Sequence, residues 1–289
     1  MKLCTFTHQG SRRLGLLDGE QVRPLPEGVA RDVGDFVRQL AAGASREELV
    51  AGASAPVPLA EVQFLPPVVA PDKIICVGLN YHDHTKESAY AQPDYPTLFL
   101  RLTTSLCAHD APIVRPACSD SLDYEGELAV VIGTGGRHIP LDRALDHVFG
   151  YSVFNDGSVR EYQFKTPQWT VGKTFDATGG FGPAVVTADE LPPGARGLKL
   201  ETRLNGQTVQ LANTSDMVFD VATLVHVISE AITLSPGDVI VAGTPAGIGW
   251  ARNPRLLMRD GDVCEVSIEG IGTLRNPIAD EVLAGAVAA

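Results

Sequence analysis

The sequence has no uncharged apolar run approaching the 18 residues that would mark a membrane-spanning helix. Its opening residues, MKLCTFTHQGSRR, contain no apolar stretch of the secretory-leader kind, so a cytoplasmic location is expected. Basic charge is scarce. Lys and Arg number 23 against 35 Asp and Glu, a formal net charge of −12. Nucleic acids and anionic membranes reward basic surface, so neither is the expected partner. Cysteine pairs are also absent: Cys4, Cys76, Cys107, Cys118 and Cys264 are scattered, odd in number and never spaced as CxxC. Reduced thiols are the simplest reading. No internal repeat or low-complexity tract interrupts the chain.

What is present is an ordinary globular composition, 44% hydrophobic and 20% charged over 289 residues. That length suits one main domain with a small appendage. Residues 1–65 read as the appendage. KLCTFTH, RLGLLDG and QVRPLP are short strands with turn residues between them, and RDVGDFVRQLAAG is a short amphipathic helix ending at glycine. The stretch SAPVPLAEVQFLPPVVAPDK, with five prolines, reads as an extended linker. Residues 70–285 form the main domain, with KIICVGLN, DYEGELAVVIG and GYSVFND as buried strands. Residues 216–234 are the best helix, with Asp216 as a candidate cap. The frequent turns that follow predict a mainly β domain with some α structure.

SLDYEGELAVVIG carries the first chemical signal. Side chains two apart on a strand share a face, so Glu125 and Glu127 point the same way with Gly126 between them. A solvated strand face would explain them in most proteins, but this strand continues LAVVI, apolar on both faces. Two carboxylates entering such a strand repel each other and lose hydration, and a cation removes both problems. Oxygen ligands point to Mg²⁺ or Mn²⁺, with Ca²⁺ possible in vitro, rather than zinc. Asp156, at the end of the apolar run YSVF, is the candidate third ligand, against a plain turn aspartate as the alternative.

GLNYHDHTKE places His84 and Glu87 three apart. In a helical turn they would pair as a general base and its orienting carboxylate, with His82 a second candidate. Arg160 and Gln163 follow Asp156 at helical spacing, and the arginine could grip a substrate carboxylate. Lys173 lies in a Gly- and aromatic-rich segment where it could stabilise an oxyanion or form a Schiff base, and Lys86 and Arg101 after His84 are weak hints of an anionic substrate. GTPAGIG lacks the ending of a nucleotide loop, so Thr244 there reads as a ligand contact.

Together, KIICVGLNYHDHTKE, LDYEGELAVVIG, GYSVFNDGSVREYQ, QWTVGKTFDATGGFGP, TRLNGQTVQ, SPGDVIVAGTPAGIG and RDGDVCEVSIEGIGTLRN resemble the fumarylacetoacetate hydrolase family, in the family's order over roughly residues 70–280. The resemblance implies a mixed β-sandwich roll (α+β) with a small N-terminal α/β unit, and a homodimer. It implies Mg²⁺ or Mn²⁺ on Glu125, Glu127 and Asp156, and a His84–Glu87 dyad. It also implies Lys173, Arg160 and Gln163 facing a small anionic 2-oxo acid, and Thr244 at its acid end. VGLNY stands where a more distant branch has a further Asp ligand, so three protein ligands are expected. The loop after His84 lacks the GPxD turn of several sugar-acid and muconate-type members. The expected reaction is metal-assisted hydrolysis of a C–C bond in a 3-acylpyruvate-like diketo acid. Decarboxylation of an oxaloacetate-like acid and tautomerisation or isomerisation are the alternatives on the same apparatus. A non-catalytic ligand-binding member is the alternative of another class.

Overall fold

The computed structural model describes residues 1–88 and 91–283. Residues 89 and 90 of the loop after His84, and 284 and 285 at the end of the main-domain assignment, lie outside the described residues. Among those described, the strands form a twelve-stranded mixed sheet, a five-stranded sheet and a two-stranded ribbon. The large sheet runs from Val57–Pro58 through Gln21–Pro24, Ser11–Asp18 and Lys2–His8. It continues into Gly179–Thr187, Val148–Asp156, Gly126–Ile132, Val239–Val241 and Ile74–Gly78, and ends at Thr97–Arg101.

The Gly126–Ile132 strand shows why this architecture can hold charge at its end. Leu128, Val130 and Ile132 pack into one core with Leu200, Val266 and Leu274 of the five-stranded sheet and with Leu224, Val225 and Ile228 of the helix Val221–Ala231. Ala129 and Val131 enter a second core with Val33, Phe36 and Val37 of the helix Val33–Ala41. Both faces are therefore dry, each fully buried aliphatic contributing about 1.5–3 kcal/mol. By alternation Glu125 and Glu127 fall on the Ala129 face, while Gly126 faces the five-stranded sheet. A Cβ on Gly126 would lie 2.1 Å from Thr202 Oγ1 and 2.9 Å from Val266 Cγ1. Gly126→Ala is therefore expected to lose about 1–3 kcal/mol by overpacking, read as a lower urea midpoint at unchanged m. Parent-like stability would show that the sheets are not held at this distance.

Three local readings differ from the structure. The proline-rich stretch is extended, yet it is no free linker: Val57–Pro58 pairs with Gln21–Pro24, and Gln63–Phe64 pairs with Lys2–His8. Both are short peripheral pieces, where proline is tolerated in sheets. The N-terminal strands are likewise continuous with the main sheet, through Lys2–His8 against Gly179–Thr187. The best helix begins later than its pattern suggests. Asp220 accepts the Thr223 N–H and caps Val221–Ala231, while Asp216 closes a capping box with Asn213 one turn earlier.

Candidate metal centre and acid–base site

Strand pairing brings the three carboxylates together. Gly126–Ile132 lies antiparallel to Val148–Asp156 with Gly126 opposite Asn155, so the strand end bearing Asp156 meets the strand start bearing Glu125 and Glu127. Ligand oxygens of Glu125, Glu127 and Asp156 lie within 4.8 Å of one another, and all three residues are buried.

Cations already surround two of them. Lys173 Nζ lies 2.6 Å from Glu125 Oε2 and 2.6 Å from Asp156 Oδ2. Arg160 Nη1 lies 2.7 Å from Glu125 Oε1 and donates to Gln163 Oε1 at 2.8 Å. Burial pushes the Glu125 carboxyl up, but Arg160, Lys173 and His84 outweigh it and hold it down at about 2. Glu127 behaves oppositely. Burial, then the charges of Asp156 and Glu125, push its carboxyl well above the usual range. Burial alone would lower the Lys173 ammonium, yet Asp156 and Glu125 raise it.

His84 and Glu87 line the same cavity of about 430 Å³ as the carboxylates. They sit on the helix His82–Glu87, with His84 Nδ1 3.5 Å from Glu87 Oε1. The second oxygen of Glu87 accepts the Gly247 N–H at 2.8 Å, which ties this helix to the GTPAGIG loop. Gly247 can face Glu87 because it adopts φ +107°, and any Cβ there would lie 2.2 Å from the Val209 carbonyl. His82 is exposed, so of the two candidate histidines His84 is the one in the cavity. Thr244 lines the cavity too. Its hydroxyl donates to the Gly126 carbonyl at 3.0 Å and accepts from Gln210 at 2.9 Å, so it also braces the strand behind the cluster.

Two placements differ from the residue pattern. Arg160 and Asp156 do not share a helix: the helix is only Arg160–Gln163, and Ser158–Val159 first pairs with Leu122–Asp123. Arg101, read as a weak hint of an anionic substrate, is fully buried outside the cavity lining. It donates to Asp156 Oδ1, Gly157 O, Thr178 Oγ1 and Ser105 Oγ, and so anchors a carboxylate from behind.

Residues 73–279 match the protein family described as Fumarylacetoacetate (FAA) hydrolase C-terminal, and residues 1–67 match that described as Rv2993c-like, N-terminal. The chain belongs to the fumarylacetoacetate hydrolase family. Its similarity to the human mitochondrial oxaloacetate tautomerase FAHD2A is 42% identity over 223 residues, 76% of this chain and 71% of that protein. A solved fumarylacetoacetate hydrolase from Exiguobacterium antarcticum superposes with a TM-score of 0.87 at 37% identity, over 97% of this chain and 100% of that one. A 2-hydroxyhepta-2,4-diene-1,7-dioate isomerase from Mycobacterium marinum does so with a TM-score of 0.79 at 33% identity, over 98% and 100%.

The family's use of a divalent metal fits this cluster on its own chemistry. Four buried carboxylates, Asp123, Glu125, Glu127 and Asp156, face three buried cations, Arg101, Arg160 and Lys173. One negative charge is unmatched, and it falls where Glu127 is pushed toward protonation. A divalent ion there turns the cluster from −1 to +1, the sign that attracts an anionic ligand.

Asp123 is the residue that sequence reasoning passed over. Its carboxylate accepts from Arg160 Nε at 2.9 Å and from the N–H groups of Gly249 and Trp250, each at 2.9 Å. It thus locks Arg160 to the loop that forms one side of the cavity. The signal was available, because Asp123 lies two residues before Glu125. Arg160 Nη2 lies 2.8 Å from Asp123 Oδ2, so the guanidinium is ion-paired to Asp123 on one edge and to Glu125 on the other.

Proposed function

We propose that this enzyme moves a proton within a small anionic 2-oxo acid, interconverting its keto and enol tautomers or its double-bond isomers. The observation that carries this reading is one cavity lined by both a three-carboxylate cluster and a His–Glu pair. The tautomerase and isomerase names of the relatives support it. Glu125, Glu127 and Asp156 would hold Mg²⁺ or Mn²⁺, which when bound supplies Lewis-acid stabilisation of the charge that builds on the 2-oxo oxygen.

The chain's own residues carry the remaining work. Arg160 and Lys173 keep Glu125 ionised, and Lys173 also holds Asp156 in place. Arg160, paired with Asp123 and Glu125, lines the cavity and adds positive charge on the side where the substrate carboxylate would bind. Glu87 against Nδ1 of His84 orients the ring and leaves Nε2 to take the proton from C3. The C3–H bond breaks, its electron pair becomes the C2=C3 bond, the C2=O π pair moves onto the oxygen, and that oxygen takes the proton carried by His84 Nε2. Apolar lining residues such as Phe99 and Ile248 limit water.

The likeness to a solved fumarylacetoacetate hydrolase supports a second reading, C–C hydrolysis of an acylpyruvate, with His84 activating water instead. That reading asks Lys173 to serve an oxyanion while its ammonium lies 2.6 Å from each of two carboxylates. Proton transfer asks nothing of Lys173 beyond that position.

The test is a kinetic panel of oxaloacetate, hydroxymuconate-type acids and acylpyruvates, using enzyme stripped with EDTA and then given Mg²⁺ or Mn²⁺. Metal is expected to restore tautomer exchange by at least about 100-fold, a contribution of several kcal/mol. Full activity in the stripped enzyme would overturn the metal's role. Acylpyruvate cleavage without tautomer exchange would establish hydrolysis instead.

A further inference from the structure

We propose that the preferred substrate carries one carboxylate and an aromatic group on C3, with its ring seated between the pairs Phe99–Trp169 and Phe164–Trp250. This rests on the proton-transfer reading of the same site and names its substrate class.

The cavity has two chemically different parts. One is the charged cluster with His84 and Glu87. The other is aromatic: Phe99 and Trp169 meet edge to face with centroids 5.8 Å apart, and Phe164 and Trp250 lie 6.0 Å apart at 44°. The chain has two tryptophans, and both line this cavity. Their placement is built rather than incidental. A Cβ on Gly78 would lie 2.3 Å from the Trp169 indole, so this strand position has no side chain where the ring rests. Arg255 stacks on Trp250 at 3.4 Å and holds the plane of that indole. Phe99 joins the two parts, its ring centroid 5.1 Å from the Lys173 ammonium. Rings presented as edges and tilted faces favour an aromatic guest.

Charge and size point the same way. With a divalent ion the cluster stands at +1, so one carboxylate neutralises it. A second carboxylate on the substrate would need its own cation. Among the described lining residues the Lys and Arg side chains are Arg160 and Lys173, and each is already ion-paired to two carboxylates. The cavity of about 430 Å³ lies in the ~300–1,000 Å³ range of sites for drug-sized ligands, more than a compact four-carbon acid fills. A neighbouring cleft shares Leu79, Phe99, Phe164 and Trp169 with it and leaves room for a longer tail. That cleft also holds Lys165, 3.4 Å from the Tyr162 ring, the rival anchor for a distant second carboxylate.

The test uses the full chain loaded with Mn²⁺. Keto–enol exchange of phenylpyruvate and of oxaloacetate is measured above the uncatalysed rate, together with quenching of tryptophan fluorescence by each. The expected kcat/KM for phenylpyruvate is at least about tenfold higher, a difference of roughly 1.4 kcal/mol, with saturable quenching. Phe164→Ala should raise KM for phenylpyruvate about tenfold, with kcat changing much less, as loss of uniform binding predicts. Phe164→Leu serves if the alanine variant does not fold. Exchange of oxaloacetate with no preference for phenylpyruvate would overturn this inference and leave the proposed function standing. So would a preference for a long dicarboxylate whose KM rises selectively in Lys165→Ala. Exchange of neither acid, nor of the hydroxymuconate-type acids, would overturn the proposed function and this inference together.

Discussion

Glu127→Gln is expected to abolish metal-dependent turnover while leaving the metal-free protein as stable as the parent or more so. The two effects have one cause. In the metal-free protein, burial and the charges of Asp156 and Glu125 push the Glu127 carboxyl far up. For an acid, a folded value above the unfolded one makes ionisation a cost to the folded state. That cost sets in above the ordinary value of 4.5 and grows until the pH reaches the folded value. Glutamine removes the charge and keeps an oxygen for the N–H of Gly243. Wild type and variant should therefore converge in stability below about pH 4, and the variant should match or exceed wild type at pH 7. Metal reverses the order. At 100 times its dissociation constant an ion adds about 2.7 kcal/mol to the state that binds it, and the variant forfeits most of this. Turnover should fall by about three orders of magnitude, the several kcal/mol that a Lewis acid supplies. Thermal melts at pH 4 and 7, with and without Mn²⁺, check the account. A metal-free variant markedly less stable than wild type at pH 7 would sink it.

Glu125 would answer a different question. Arg160 and Lys173 both lean on its carboxylate, so removing it leaves buried cations short of partners, at a cost of about 3–5 kcal/mol. Loss of activity there would mix misfolding with loss of the ion. Glu127 separates them, because it is the carboxylate of the cluster that the protein's own cations serve least.

The carboxylate cluster was legible because it rests on local rules. Two-residue alternation placed Glu125 and Glu127 on one face, and a polar residue ending an apolar run placed Asp156 at a strand end. His84 and Glu87 were legible for the same reason, since three-residue spacing implies one helical turn. What was not legible depends on pairing across the chain. Arg101 is 55 residues from Asp156, and nothing in its neighbourhood marks it as a buried anchor rather than a surface cation. Sheet continuity between Lys2–His8 and Gly179–Thr187 is likewise a property of register between distant segments. The proline-rich stretch misled because proline's cost is paid by a lost backbone donor, and a peripheral strand has donors to spare. Reaction type is harder still. Proton transfer, decarboxylation and hydrolysis can use the same carboxylates and the same histidine, so ligand identity alone does not separate them.

His84→Gln is expected to lower turnover by about 10²–10⁴-fold, the usual worth of a positioned general base, with the Mn²⁺-induced rise in melting temperature retained. The geometry separates the two readouts. His84 lies in the cavity with Glu125, Glu127 and Asp156 but is outside the carboxylate cluster, and its Nδ1 is directed to Glu87. Glutamine cannot replace the imidazole as a base near neutral pH, yet it keeps a polar side chain on the same helix. Glu87→Gln should fall between wild type and His84→Gln. Its amide oxygen can still accept the Gly247 N–H that ties the helix to the loop, so the helix stays in place while the histidine loses its charged partner. Solvent-deuterium uptake at C3 gives the direct readout. Wild type should exchange that hydrogen, and His84→Gln should exchange it at the reduced turnover rate. Parent-like exchange in His84→Gln would remove the histidine from the proton path and move the base elsewhere in the cavity. A loss of the Mn²⁺ melting shift in the same variant would instead make His84 part of the ion's site.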